Sequence, residues 1–289
     1  LKRLAKIAPL YIIFLNINLG IFWYLENYYL NYEFIRNSPT NESVNAINYI
    51  IHLFFLQGFF PNKLHTLLDG SWSIVNEVIF YLIFPLIFSK FKNINGKFKL
   101  YCLGLILSMF FVISVPEIYP GYSYYGFLSH FPTFCLGMIA YEISKKDKIQ
   151  SIIFKNRKYL FILSIIIMIG QIKGDTSLLG VHHFYSVSFF IILTTTLSLK
   201  NKYNFFFSKT LEILGKQTYS LYFTHILIIK LWVFYSKMYL NLSFSDALIS
   251  NIFICTIISF LFSNLIFNKI DLYFVRKMKA YLKLLIEKG

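Results

Sequence analysis

Charge is the first thing this sequence is short of. Only 14% of its 289 residues are Asp, Glu, Lys or Arg, against about 25% in a typical soluble domain. A soluble chain needs polar cover for its surface, so a soluble globular domain is excluded. Intrinsic disorder, which requires low hydrophobicity, goes with it. Acid is scarcest, with 13 Asp and Glu against 28 Lys and Arg, a formal net charge of +15. Cysteine is rare too. Cys102, Cys135 and Cys255 are odd in number, lie in apolar runs and have no metal-ligand spacing. They exclude a secreted disulfide scaffold and read as lipid-facing or packed thiols, with no metal expected.

What the chain has in abundance is apolar surface: 57% hydrophobic residues, 20% aromatic, and a mean hydropathy of +0.59. The class expected is all-α, a polytopic transmembrane helix bundle. A spanning helix needs about 20 mostly apolar residues, and candidate runs lie near 7–25, 45–60, 71–89, 99–115, 127–143, 158–173, 183–199, 217–236 and 247–268. Basic residues cluster at Lys2, Arg3 and Lys6, in the connections 90–99, 144–158 and 200–216, and in the tail from Lys269. Basic loops of a membrane protein face the cytoplasm, which accounts for the positive charge without a nucleic-acid partner.

Nine full crossings would put two of those basic connections outside. The run 45–60 is short, carries Asn48 and His52, and ends at Gly58 and Pro61. Read as a re-entrant or interfacial helix, it leaves about eight full spans with both ends cytoplasmic. The outer segments 26–44, 61–70, 116–126, 174–182 and 237–246 then carry most of the acids: Glu26, Glu33, Glu42, Asp69, Glu117, Asp175 and Asp246. No internal repeat or low-complexity linker interrupts the chain. One membrane domain over 1–271 is expected, with a basic amphipathic tail over 272–289 at the inner surface.

Ionisable groups within a membrane are expensive and are functional candidates by default. Ser73, Glu77 and Tyr81 are spaced by four and share one helix face; Glu77 serves either chemistry or helix-to-helix hydrogen bonding. His225 falls about 12 Å into its span, on a face with Thr218 and Tyr222. His130, His182 and His183 read as interfacial, and adjacent histidines point about 100° apart, a poor chelate. Glu142 reads as a snorkelling side chain. Arg3 and Lys6 share a face, either as a positive-inside anchor or as an anion site for a phosphorylated cofactor.

The string Trp72-Ser73-x-x-x-Glu77-x-x-Phe80-Tyr81-x-x-x-Pro85 resembles the central signature of the bacterial acyltransferase 3 family, membrane O-acyltransferases that act on envelope and exported polysaccharides among other acceptors. Lys2-Arg3-x-x-Lys6-Ile7-x-Pro9, Phe131-Pro132-x-Phe134-x-x-Gly137 and Leu214-Gly215-x-x-x-Tyr219-Ser220-x-Tyr222-x-x-His225 are similar, in order, to its basic motif, its mid-chain helix and its late Ser-Tyr-His helix. The family pattern opens with two further helices, the first carrying an Arg and a His. With Leu1 rather than Met in first place, the sequence is therefore expected to be an N-terminally truncated piece. Lys6 stands where the family usually has arginine, and Asp271 where a Glu-x-Pro motif is common.

The resemblance implies an acyl group, usually acetyl, moved from cytoplasmic acyl-CoA (acetyl-CoA) to a hydroxyl of a saccharide or lipid-linked saccharide, in the bacterial inner membrane and in contact with membrane lipid. The upstream histidine would be the base and Glu77 its orienting carboxylate. Arg3 and Lys6 would hold CoA phosphates, and His225 with Tyr222 would line the acyl path. Trp72, Ser73, Tyr81 and Ser220 would support the site. The alternatives are a transporter or flippase of a lipid-linked saccharide, or an inactive truncated relative.

Overall fold

The structure is a computed structural model that describes residues 2–28, 45–64, 66–115, 121–170, 181–199, 207–240 and 249–288. Among these the regular elements are helices, without a strand. In chain order they are α1 (Lys2–Tyr28), α2 (Ala46–Leu53), α3 (Ser71–Lys90), α4 (Ile94–Ser114), α5 (Tyr122–Tyr125), α6 (Phe127–Ser144), α7 (Asp147–Lys155), α8 (Arg157–Gly170), α9 (Val181–Ser198), α10 (Phe207–Lys216) and α11 (Thr218–Tyr239). The last run passes through a π-helical turn (Asn251–Cys255), α12 (Thr256–Ile266), a second π-helical turn (Phe267–Asp271) and α13 (Leu272–Lys288).

Among the described residues, three helical runs are long and apolar enough to cross a membrane: Ser71–Lys90, Ile94–Ser114 and Ile252–Lys277. A shorter apolar stretch, Lys6–Ile21, lies within α1. Burial along these helices runs opposite to that of a soluble protein. On α4, Ile106, Phe110 and Ile113 are exposed while Ser108 is buried. On α8, Ile162, Ile166 and Ile169 are exposed while Ser164 is buried and accepts, through its carbonyl, a 2.7 Å hydrogen bond from Ser188 of α9. Apolar side chains outward and small hydroxyls inward suit a lipid surround, where helices approach through small residues and interhelical hydrogen bonds. This is an integral membrane protein.

The run 45–60 departs from a single helix. α2 has only 8 residues, about 12 Å, against a hydrocarbon core of about 30 Å, so it is too short to cross. Asn45 caps it by accepting from the Asn48 amide at 2.7 Å. Phe55 at φ 59 ends it, and a 3-10 turn follows at Gln57–Phe59. Two basic connections also prove partly helical, as α7 and α10. Of the outer acids, Glu33, Glu42, Glu117, Asp175 and Asp246 lie outside the described residues.

The fold divides into two compact units. One comprises residues 1–56, 65–71 and 206–289; the other comprises 57–64 and 72–205. In the first, α1 packs on α11, on the second π-helical turn and on α13. Its core includes Ile7, Leu10, Tyr11, Phe14 and Phe223, with the Phe14 and Phe223 rings stacked at 5.2 Å. In the second, α6 packs on α4 and α9, and α9 on α8. Phe80, Leu100, Phe131, Cys135 and Met138 form a cluster there, with Phe80 and Phe134 stacked at 4.3 Å. Gly104 lets α4 and α6 approach closely, since a Cβ there would lie 3.1 Å from the Phe131 ring.

Candidate active site

The sequence-derived site residues fall into two groups, one in each unit. α3 carries Trp72, Ser73, Glu77 and Tyr81. The four-residue spacing does what it promises: the Tyr81 hydroxyl donates to Glu77 Oε1 within the helix face. That bond fixes one carboxylate oxygen part-way along an apolar span. Asn76, one residue earlier, donates to the Tyr125 carbonyl at 2.9 Å, which ties α3 to α5. Trp72 lies 4.8 Å from the Tyr125 ring and 5.1 Å from that of His130.

The three histidines of this unit lie near the starts of α6 and α9. His182 and His183 are 8% and 6% exposed. The His130 and His182 rings lie 4.8 Å apart, and those of His182 and His183 4.1 Å. His182 Nε2–H donates to the Ser129 carbonyl at 3.0 Å, and His183 Nε2 pairs with the Ser108 hydroxyl at 3.0 Å. Helix packing of α6 against α9 makes this cluster, and a sequence without contacts does not reveal it. Among the described residues no group of three or more His, Cys, Asp or Glu could hold a metal ion. Glu142, in the last turn of α6, takes a 2.5 Å ion pair from Lys97, whose side chain is fully buried, and a 3.6 Å one from the exposed Lys145.

In the other unit, Arg3 is exposed and Lys6 partly buried. Lys6 Nζ donates to the Lys216 carbonyl at the end of α10, at 3.3 Å, and lies 5.3 Å from the Tyr219 ring centre. On α11, Ser220 is fully buried and its carbonyl accepts from Thr224 at 2.8 Å. The Tyr222 hydroxyl donates to the Gly70 carbonyl at 2.7 Å. His225 donates from Nδ1 to the Leu221 carbonyl at 3.0 Å, which leaves Nε2 with the lone pair of the neutral ring. Asp271 is buried at the end of the second π-helical turn, a feature often found at functional sites.

A second ion pair also escaped the reading of the sequence. Lys230 Nζ of α11 bonds Asp69 at 2.6 Å, so Asp69 is not simply an acid of an outer segment. The segment bearing it is pinned by Tyr222 at Gly70, by Asn18 Nδ2 donating to the Leu67 carbonyl, and by Asn48 Nδ2 donating to Thr66 at 2.9 Å. The missed signal was plain: Lys230 is a cation inside the apolar run 217–236, where an ionisable residue calls for a partner.

A helical membrane protein with a hydrogen-bonded carboxylate, buried imidazoles and an internal ion pair belongs to the class of integral membrane enzymes and transporters. The comparison with known families decides within it. The chain matches the acyltransferase 3 family, described as an acyltransferase domain, over residues 1–270, and it belongs to that family. It is a membrane acyltransferase, of the kind that transfers groups other than aminoacyl groups. No curated protein and no solved structure matches the chain.

Proposed function

We propose that the chain moves an acyl group, acetyl in the first instance, from acyl-CoA on the cytoplasmic side to a hydroxyl of an envelope or exported saccharide or its lipid-linked form. It does so as a protein of about eight spans plus the re-entrant or interfacial α2, in the inner membrane of a bacterium, with both ends of this chain cytoplasmic. The acceptor oxygen bonds the thioester carbonyl carbon, the C–S bond breaks, and the proton lost by the hydroxyl ends on the released CoA thiol. Such a transfer needs a base for that proton and stabilisation of the developing oxyanion.

Glu77 carries the reading. A carboxylate held by Tyr81 on the polar stripe of an apolar helix is suited to orient and charge a catalytic imidazole, as the carboxylate of a triad does. His225, with Nδ1 fixed and Nε2 bearing its lone pair, has the tautomer of a proton acceptor along the acyl path, next to Tyr222. Arg3 and Lys6 supply the cations for CoA phosphates.

The test is Glu77→Gln in the complete gene product, assayed in membrane vesicles with radiolabelled acetyl-CoA and a saccharide acceptor. Acyl transfer is lost while the protein stays folded and membrane-inserted. Transfer near the unsubstituted level demotes Glu77 to a helix-packing residue.

A further inference from the structure

The chemistry least accounted for lies at the starts of α6 and α9. His182 is 8% exposed. Its Nε2–H is committed to the Ser129 carbonyl, so its neutral ring keeps the lone pair on Nδ1. That atom is buried and has no hydrogen-bond partner. His130 repeats the arrangement, with its Nε2 buried and unpartnered and its ring beside the Tyr124 backbone. An unpaired buried acceptor is costly, and here two of them lie one ring contact apart, 4.8 Å between centres. Native proteins rarely leave such atoms unmatched without a water, a ligand or a function behind them.

The surroundings narrow what the partner is. It must donate hydrogen bonds, twice. A metal does not fit the described residues. The neighbouring rings are aromatic: Trp72 lies 5.1 Å from His130, and Tyr124 stands edge-on to His130 at 5.9 Å and to His182 at 5.0 Å. Tyr124 is 40% exposed, so the cluster reaches the surface. Flat aromatic faces beside two acceptors complement a sugar ring, which offers an apolar C–H face and hydroxyl donors at its edge. Binding sites of this kind combine aromatic lining with a few placed polar groups.

We propose that Trp72, Tyr124, His130 and His182 form the acceptor-sugar site, with His130 Nε2 and His182 Nδ1 accepting from two hydroxyls of one sugar ring. This rests on the saccharide-acceptor reading above.

The experiment measures acyl transfer by the complete gene product in vesicles, with radiolabelled acetyl-CoA as donor and de-O-acetylated host envelope polysaccharide as acceptor. KM is determined separately for each substrate. His130→Leu and His182→Leu raise the acceptor KM about tenfold, the loss of roughly one hydrogen bond, and leave the acetyl-CoA KM within about twofold. His130→Gln and His182→Asn, which place an acceptor oxygen near the lost nitrogen, recover most of the loss. A purely structural role moves both KM values together with thermal stability and shows no such recovery, and that result overturns the proposal. So does an unchanged acceptor KM in the Leu variants. If the Leu variants fail to fold, the partly exposed Trp72 decides: Trp72→Leu raises the acceptor KM alone, and an unchanged value overturns the site. Acyl transfer by the unsubstituted complete gene product that does not depend on the saccharide overturns the acceptor reading itself, and this site with it.

Discussion

Replacing Glu142 by alanine strands a lysine. Lys97 has no solvent-exposed side-chain surface, and its ammonium is held by Glu142 at 2.5 Å and by the Phe88 ring at 4.1 Å. Removing one partner of a buried pair costs about 3–5 kcal/mol, because the remaining charge is left without compensation. Glu142 is 14% exposed, and the cation–π contact remains at about 0.5–2 kcal/mol, so about 3 kcal/mol is expected. For a domain of about 150–250 residues each kcal/mol shifts the midpoint by roughly 2–4 °C, which gives a fall of roughly 6–12 °C. Thermal unfolding of the detergent-solubilised chain, followed by tryptophan fluorescence, reads it. Lys97→Met combined with Glu142→Leu should restore most of the loss, since apolar residues of similar volume often replace a buried pair without penalty. A midpoint within about 1 °C for Glu142→Ala, or a double variant as unstable as the single one, refutes the reasoning.

Three further outcomes follow from the geometry. Single cysteines at positions 43 and 62, introduced at Ser43 and Asn62 after removal of Cys102, Cys135 and Cys255, should both be labelled from the outer face; labelling from opposite faces sinks the re-entrant reading of α2. Arg3→Ala should weaken acyl-CoA binding by less than about fivefold, as for other exposed ionic contacts, and the difference should shrink with added salt; a loss that persists at high salt points to a buried contact instead. Gly70→Ala should destabilise the first unit by about 1–3 kcal/mol in thermal unfolding, because Gly70 sits at φ +74 and a Cβ there would lie 2.5 Å from Ile226 and 2.7 Å from the Tyr222 hydroxyl; unchanged stability shows that Tyr222 and Ile226 give way freely.

Periodicity and composition carried the class, because they report what each residue prefers without needing its neighbours. A shortage of charge forces a lipid surround, and spacing by four puts Glu77 and Tyr81 on one face of α3 wherever that helix goes; their hydrogen bond follows from that local spacing. The family string depends on the same local order, and the match over residues 1–270 agrees with it. Partners brought in from far along the chain were not legible. Lys97 meets Glu142 only because α4 packs on α6, and Lys230 meets Asp69 only because the 66–71 segment folds back on α11. The histidines at 130 and 182 become neighbours through packing of α6 on α9. Which buried charge is compensated and which imidazole nitrogen is left bare are questions of contact, and contact is decided by tertiary packing, because burying a polar group is tolerable only where the fold delivers a partner to it.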